Sequence, residues 1–415
     1  MPESAGTASN RGCQPLQNLD RTPRLCMCII IKPQMHTLEG QPLTDKTNVL
    51  RWGPTPWTVD FSPAKRPLPT QVDIAVVGGG FSGLSAAANA KRFDSTKTVA
   101  LLEADKIGAR SSGHTGGLAL AETAAGDLPG LGDVLGGVSA ILNDLDVSCD
   151  LHLPGVYELD RTTENAKSPI RWTDSGSLRV GKEVPGGTLD PGKMVAGLAR
   201  AASERGVLIF EQARIERVEF AEPLVLHVGG NSVRADRVIF ATNSESLELT
   251  QLAQRAQPKL TMALATGPLS DEKLEALGMA NGKPCYTTDL PYLWGRLVHT
   301  NRLIFGSGLV DVPNWRALTA IDVKSGRALE LLDKLETRVR RLHPALLDAQ
   351  ITHRWGGPIL ITEDWRPVFE EHPKSSNAIV MGGYSGHGVA LSVYLGAWAA
   401  EVLLGRRALP NWKQT

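Results

Sequence analysis

Residues Val72 to Gly83 read Val-Asp-Ile-Ala-Val-Val-Gly-Gly-Gly-Phe-Ser-Gly, an apolar run entering a G-x-G-x-x-G turn, and the alanine-rich stretch Ser85 to Arg92 behind it has helical character. Strand, glycine turn and helix in that order suit a dinucleotide. Gly78 permits the tight turn, Gly80 lets the backbone approach a pyrophosphate, and Gly83 lets the helix lie close on the strand, with its free N–H groups turned to the phosphates. Phe81 and Ser82 fill the turn between them. The next apolar run, Thr98-Val-Ala-Leu-Leu102, ends at Glu103, twenty residues beyond Gly83, where such a site needs an acid for a ribose hydroxyl. Gln71 to Glu103 is therefore predicted to form one right-handed βαβ unit, with Ala104 just beyond it.

The chain has 415 residues, 42% of them hydrophobic, enough for one large two-part domain or two domains with a full core. Its formal net charge of zero carries no footprint for nucleic acid or an anionic membrane, so a small-molecule partner is expected. Five cysteines (Cys13, Cys26, Cys28, Cys149, Cys285), odd in number and without C-x-x-C spacing, suit a reducing compartment, and a cytoplasmic location is expected. Leu25 to Ile31 is too short and lacks a small-residue cleavage site for a signal peptide. Val389 to Gly405 is interrupted by Glu401 and is apolar at helical spacing, so a buried helix is expected there and no membrane insertion. None of the nine histidines forms a close pair with a carboxylate at ligand spacing, and no metal is expected.

Residues 1–66, rich in Pro, Thr, Asn and Gln, read as an extended, partly disordered N-terminal arm, with residues 1–34 unfolded and Met35 a candidate natural start. A Gly and Ser loop, Gly108 to Gly117, is followed by a helix predicted to run to about Ser148 and a strand at Gly155 to Leu159. Asp190 caps a helix that starts at Pro191 and runs to about Arg205. Strands follow at Val207 to Phe210 and Leu224 to Val228, and Ala235 to Asn243 reads as a buried parallel strand whose small polar end reaches a ligand crevice. Residues 259–310 are strand-like and aromatic, 323–342 helical, and from Ile351 strands are expected to alternate with Gly-Pro turns.

Taken together, Val-Val-Gly-Gly-Gly-Phe-Ser-Gly-Leu-Ser-Ala-Ala, Leu-Leu-Glu-Ala, Ser-Gly-His-Thr-Gly-Gly, Ile-Phe-Ala-Thr-Asn and Gly-Tyr-Ser-Gly-His-Gly-Val-Ala-Leu resemble the FAD-dependent D-amino-acid oxidase superfamily, and within it the gamma-glutamylputrescine oxidoreductase-like flavoproteins. The resemblance spans about residues 50–407. It implies an α/β fold: a glutathione-reductase-type FAD-binding Rossmann domain, discontinuous in sequence (67–150, 185–258 and 352–415), with an α+β substrate domain on an antiparallel sheet (151–184 and 259–351). It also assigns cofactor contacts beyond the glycine turn. These come from Arg110, Ser111, Ser112, His114, Thr115, Gly116, Gly117 and Leu118 in the loop, from Ile215, from Ala241 and Thr242 at the resumed strand, from Gly357, and from Gly383, Gly386, His387, Gly388 and Val389 in the last glycine turn. An NAD site has no use for that last turn. A reduced flavin carries negative charge at one end, which N–H donors at a helix N-terminus stabilise.

The implied reaction takes a hydride from the carbon beside an amine nitrogen to flavin N5 and leaves an imine that hydrolyses, with O2 or another acceptor removing the electrons. A flavin-binding subunit or electron carrier without its own turnover is the alternative. No obligatory base is expected, and His387, Trp294 and Arg296 are the candidates for substrate contact, Trp294 by cation–π contact and Arg296 as an anion binder. Ser385 invites a hydrolase reading, but His387 stands where a nucleophile elbow needs glycine. Ser111 to Gly117 also resembles the loop of dimethylglycine and sarcosine dehydrogenases, whose histidine is bonded to FAD; a link at His114 is an alternative to the noncovalent FAD expected here. Trp355-Gly-Gly-Pro358 has glycine, Gly357, where glycine and D-amino-acid oxidases carry a carboxylate-clamping arginine, which favours an amine substrate. Glu363-Asp364 and Arg366-Pro367 read as a turn near the flavin.

Overall fold

The computed structural model describes residues 51–161 and 166–412. The expected unfolded segment 1–34, Met35, Cys13, Cys26 and Cys28 lie outside the described residues. Gln71–Val77 is buried on both faces and sits inside an eight-stranded sheet, as a parallel strand covered by helices must. The order is Val368–His372, Ser375–Gly382, Asn231–Phe240, Gln71–Val77, Val99–Leu102, Leu208–Phe210. All neighbours from Ser375–Gly382 onward are parallel, and Val368–His372 closes one edge as an antiparallel strand. The antiparallel strands Ile215–Glu219 and Leu224–Val228 extend from the first half of Asn231–Phe240. The register pairs Val77 with both Phe240 and Leu102, so the chain leaves three adjacent strand ends side by side at Gly78, Glu103 and Ala241. Ligands of open parallel sheets bind at such carboxyl ends.

The helix Phe81–Phe93 follows the glycine turn, and its first ten residues are all buried because helices Gly388–Leu403 and Pro191–Glu204 pack on it. Its small residues permit the close approach. Ser85 Oγ donates to the Val393 carbonyl at 2.7 Å, and a β-carbon on Gly396 would stand 2.5 Å from the Ser82 carbonyl oxygen. Helix Pro191–Glu204 is capped as its sequence predicts, Asp190 accepting from the Lys193 N–H at 2.9 Å. Gly388–Leu403 is the expected buried helix, and no helix among the described residues is long and apolar enough to cross a membrane.

The second eight-stranded sheet runs Ile351–Thr362, Ala256–Thr266, Arg302–Asp311, Trp294–Val298, Cys285–Thr287, Val156–Asp160, Ser177–Val184, Trp172–Thr173. Every pair is antiparallel except Cys285–Thr287 with Val156–Asp160. Helix Gly326–Leu342 places Leu335, Val339 and Leu342 in a core shared with Leu264, Phe305 and Trp172.

Three expectations change. The stretch from Gly117 to Ser148 expected as one helix is a strand Leu118–Leu120 paired to Gly186–Thr188, a loop, and only then a helix, Val134–Leu145, capped by Asp133, and the loop before it carries a short helix, Ser111–His114. Gly126, Gly130 and Gly132 all take positive φ in that loop, which no helix accommodates. The Gly-Pro turn expected after Ile351 is absent, because Ile351–Thr362 runs unbroken through Gly356-Gly357-Pro358. It is an edge strand, where a residue without an N–H is tolerated. That strand pairs with Ala256–Thr266, so the boundary expected between residues 351 and 352 falls inside one strand of the second sheet. Residues 51–69 form no helix or strand, as expected of an arm, yet Trp52 is completely buried.

Replacing Gly396 by valine should force the two helices apart. A loss of about 3 kcal/mol is expected in chemical denaturation.

Candidate functional site

A cavity of about 1000 Å³ runs from the three strand ends to the face of the second sheet. At the strand ends the backbone is packed too closely for side chains. A β-carbon on Gly78, whose φ is +111°, would stand 2.6 Å from the Ala241 carbonyl oxygen, one on Gly80 would stand 2.8 Å from Ser112 Oγ, and one on Gly83 would collide with the Gly78 carbonyl. The N-cap residue of helix Phe81–Phe93, Gly80, has no side chain to cap it. Ser112 Oγ accepts from the Phe81 N–H at 2.9 Å, which ties the 108–117 loop to that helix start.

Charge gathers beside the cradle. Glu103 accepts from the Gly79 N–H at 2.7 Å and the Asp105 N–H at 2.8 Å, and burial pushes its carboxyl above the usual range despite both bonds. Arg110 bridges Asp105 at 3.0 Å and Glu245 at 2.5 Å, and burial likewise raises the Glu245 carboxyl. Asn243, just past the strand Asn231–Phe240, donates to Ser111 Oγ at 3.2 Å and accepts from the Gly383 N–H at 3.0 Å. One amide thus holds both the cofactor loop and the last glycine turn.

At the other end His387 immediately precedes helix Gly388–Leu403, whose N-terminus has no side-chain cap. Burial pushes its imidazole down to about 4, so the ring is neutral at pH 7, and its buried Nδ1 has no partner. Thr242 Oγ1 and Ser392 Oγ are also buried without a partner, and both residues line the cavity. His114 keeps Nδ1 3.1 Å from the Arg110 carbonyl oxygen, and burial lowers its pKa also. Thr261, opposite Gly357 in the strand register, shares a 2.8 Å hydrogen bond with the Tyr292 hydroxyl.

The donor set fits FAD. Two helix N-termini whose N-cap residues make no side-chain cap, a backbone cradle without room for side chains and three unpaired polar groups on residues lining the cavity are what a long ligand with a polar backbone and a polar ring end requires. The volume lies at the upper end of the roughly 300–1,000 Å³ common to ligand pockets, consistent with a dinucleotide plus a second small molecule. The profile of the family described as FAD dependent oxidoreductase (DAO) matches residues 73–402. The chain belongs to this family. A gamma-glutamylputrescine oxidoreductase of Escherichia coli (strain K12) is 27% identical over 381 residues, 80% of this chain and 84% of the relative, and a probable oxidoreductase OrdL of Rhizobium meliloti is 26% identical over 81% and 84%. Among solved structures, glycine oxidase from Geobacillus kaustophilus superposes with a TM-score of 0.64 at 19% identity over 82% of this chain and 96% of that one. The fold and the FAD-dependent oxidoreductase assignment expected from the motifs therefore stand.

Most of the residues singled out in the sequence lie on the cavity wall of this DAO-family chain. Phe81, Ser82, Ala104, Thr115, Gly116 and Leu118 join those described above, as do Ile215, Trp294, Gly386 and Val389. Gly83, Gly117, Gly383 and Arg296 do not line it. Gly83 lies beneath the turn, and Gly117 has φ +75° with Arg296 Nη2 only 3.1 Å from its would-be β-carbon. Arg296 is 3% exposed, donates to the Leu189 carbonyl at 2.9 Å and lies over Trp57 at 5.9 Å; burial lowers it to about 10. It braces the loop from behind, out of reach of the anion-binding role expected for it. Glu363, Asp364 and Arg366 line the cavity from the turn after Thr362, and Ser385, also on the wall, accepts from the Thr362 N–H at 3.2 Å. Sequence reading passed over Asn243, Glu245, Ser392 and Trp57 as site residues, since none sits in a glycine motif.

Below pH 6.5 the unfolded chain protonates His387 while the folded chain, with its pKa near 4, does not. Stability is therefore complete above about pH 6.5 and falls between 6.5 and 4, by up to about 3 kcal/mol from this group. His387→Gln should flatten that decline in denaturation midpoints measured across the range.

Proposed function

We propose that this chain oxidises a C–N bond of an amine or N-substituted amino acid. The observation that carries this reading is Gly357. The position where the resemblance expects a carboxylate-clamping arginine carries no side chain, and a β-carbon there would stand 3.0 Å from the His114 carbonyl oxygen and 3.2 Å from its Cβ, so the His114 turn occupies the space beside it. The other cations on the wall are engaged: Lys182 pairs with Glu158 at 3.0 Å, Arg110 with Asp105 and Glu245, Arg366 donates to the Trp412 carbonyl, and Arg214 lies over Trp315. Glu122, by contrast, lines the cavity with no hydrogen-bond or ion-pair partner among the described residues, and burial raises its carboxyl. Such a wall favours a cationic or neutral amine over a small α-amino acid. The name of the Escherichia coli relative, which specifies an amine-terminated substrate class, supports the same reading.

Bound FAD supplies a two-electron acceptor for the hydride on the carbon beside the nitrogen, and water hydrolyses the imine that remains. The protein's share is binding and orientation. Gly78, Gly80 and Glu103 hold the nucleotide end, and the N–H groups at the start of Gly388–Leu403, with neutral His387, face the ring end. Trp294, packed against Gly116 and Gly306, offers an aromatic face to an amine. The functional division is residues 67–150, 185–258 and the chain after Thr362 for FAD, with 151–184 and 259–362 for substrate. FAD is noncovalent in this reading, O2 or another acceptor reoxidises it, and the low, odd number of cysteines without C-x-x-C spacing supports a cytoplasmic location.

Purified protein should be yellow, and primary or secondary amines should bleach the long-wavelength flavin band anaerobically without a partner chain. Failure across polyamines, N-methyl glycines and D-amino acids would replace this reading with that of a flavin-binding subunit. Acid precipitation should leave the colour in the supernatant; a coloured pellet would instead identify a bond to His114. Glu122→Gln should raise KM for a cationic amine about tenfold with kcat little changed, as expected for lost uniform binding.

A further inference from the structure

The turn that carries His114 is held from behind by three tryptophans, two of them from the segment just before the nucleotide fold. Trp57 Nε1 donates to the Gly113 carbonyl at 2.8 Å, and Trp355 Nε1 donates to the His114 carbonyl at 3.1 Å. Trp52 meets the His114 ring edge-on, with centroids 5.6 Å apart at 84°, and Arg110 lies over the same indole. Trp57 and Trp355 also pack edge-to-face, 5.7 Å apart. Successive carbonyls of one short turn are thus fixed by two indole donors, while a third indole sets the imidazole.

The segment is itself anchored at the free edge of the second sheet. Trp52 is fully buried and donates Nε1 to the Leu318 carbonyl at 2.9 Å, and its carbonyl accepts from the Gly356 N–H at 2.7 Å. Gly53, at φ +82°, lets the chain lie against the Arg354 carbonyl, where a β-carbon would collide. Its neighbour Arg51 accepts from the Val323 N–H at 3.0 Å. The strap therefore satisfies an edge N–H of Ile351–Thr362 and joins that strand to the cofactor loop. None of these contacts is needed to complete either sheet, yet all converge on the turn that places His114 on the cavity wall.

We infer that Trp52, Trp57 and Trp355 are positioning residues for FAD. By holding the carbonyls of Gly113 and His114 outward and the imidazole edge in place, they keep the turn's inner face, including His114 Nε2, at a fixed distance from the cofactor. His114 Nδ1 faces the Arg110 carbonyl oxygen, so in the neutral ring Nδ1 carries the proton and Nε2 is the acceptor. The segment 51–57 is then part of the cofactor site although only Trp355 of the three indoles lines the cavity.

Trp57→Phe keeps an aromatic ring and deletes the one hydrogen bond to the loop. Trp172→Phe is the control: its indole donates to the Leu277 carbonyl at 3.0 Å, fully buried where Trp57 is half-buried, and inside the second sheet's own core. Each holoprotein is diluted, and released flavin is read by its fluorescence, with the absorption spectrum of bound flavin recorded alongside. Trp57→Phe should raise the FAD dissociation constant about tenfold and shift the bound-flavin spectrum, whereas Trp172→Phe lowers the melting temperature and leaves both unchanged. Equal weakening by both variants would mean that stability alone is being read, and unchanged binding in Trp57→Phe would mean that the strap does not position FAD; either result overturns the inference. If Trp57→Phe does not fold, Trp355→Phe tests the adjacent carbonyl by the same readouts.

Discussion

The structure turns on the contact between the Gly78 carbonyl and the α-carbon of Gly83, a backbone approach that leaves no room for a β-carbon. It lays the first helix directly on the first strand, and every other feature of the nucleotide end is registered to it. With Gly78 seated under the Ala241 carbonyl and Glu103 bonded to the Gly79 N–H, three parallel strands separated by long stretches of chain end at one level. The helix start then projects into the crevice those ends create, its Phe81 N–H held by Ser112 and its N-cap a glycine without a side chain.

The cavity carries a cost in the absence of its ligand. Thr242 Oγ1, His387 Nδ1 and Ser392 Oγ are buried without partners, and a buried unpaired polar group costs about 1–3 kcal/mol. A fold that leaves three such atoms on one wall gives up stability that a bound molecule restores. Other polar groups of the same wall are paired within the protein: Asn243 bonds two loops, and Tyr384, in the turn before the last helix, shares a 2.7 Å hydrogen bond with Ser82 of the first.

Charge follows the same division. Arg296 is spent on the Leu189 carbonyl behind Gly117, and Arg110 on two carboxylates, so no strong anion receptor is left where the second sheet floors the cavity. Gly357 completes this pattern by letting the His114 turn settle against the floor strand. Proximity of the loop to the strand and the lack of a carboxylate clamp therefore go together, because a side chain at 357 would require the His114 turn to shift.

Local sequence alone determined the βαβ unit, the Asp190 cap and the buried last helix, because each depends on neighbours within a few turns of chain: glycines where φ or contact demands them, an acidic cap one turn before its N–H, apolar residues at helical spacing. It placed the strand Leu224–Val228 to the residue for the same reason. It found the helix Val134–Leu145 but misread residues 118–133, where an apolar pattern suited a helix and three glycines at positive φ required a loop, and it read Gly356-Gly357-Pro358 as a turn because only the strand's place at the sheet edge makes proline harmless there. Nor did a Pro-rich arm reveal that Trp52 would be buried and Trp57 set against Gly113, since those contacts join residues far apart in sequence. Which arginine faces the ligand, which tryptophan only supports the wall and which glycine excludes a clamp were decided by tertiary structure, because each is a question of which side of a backbone a side chain occupies once two sheets have met.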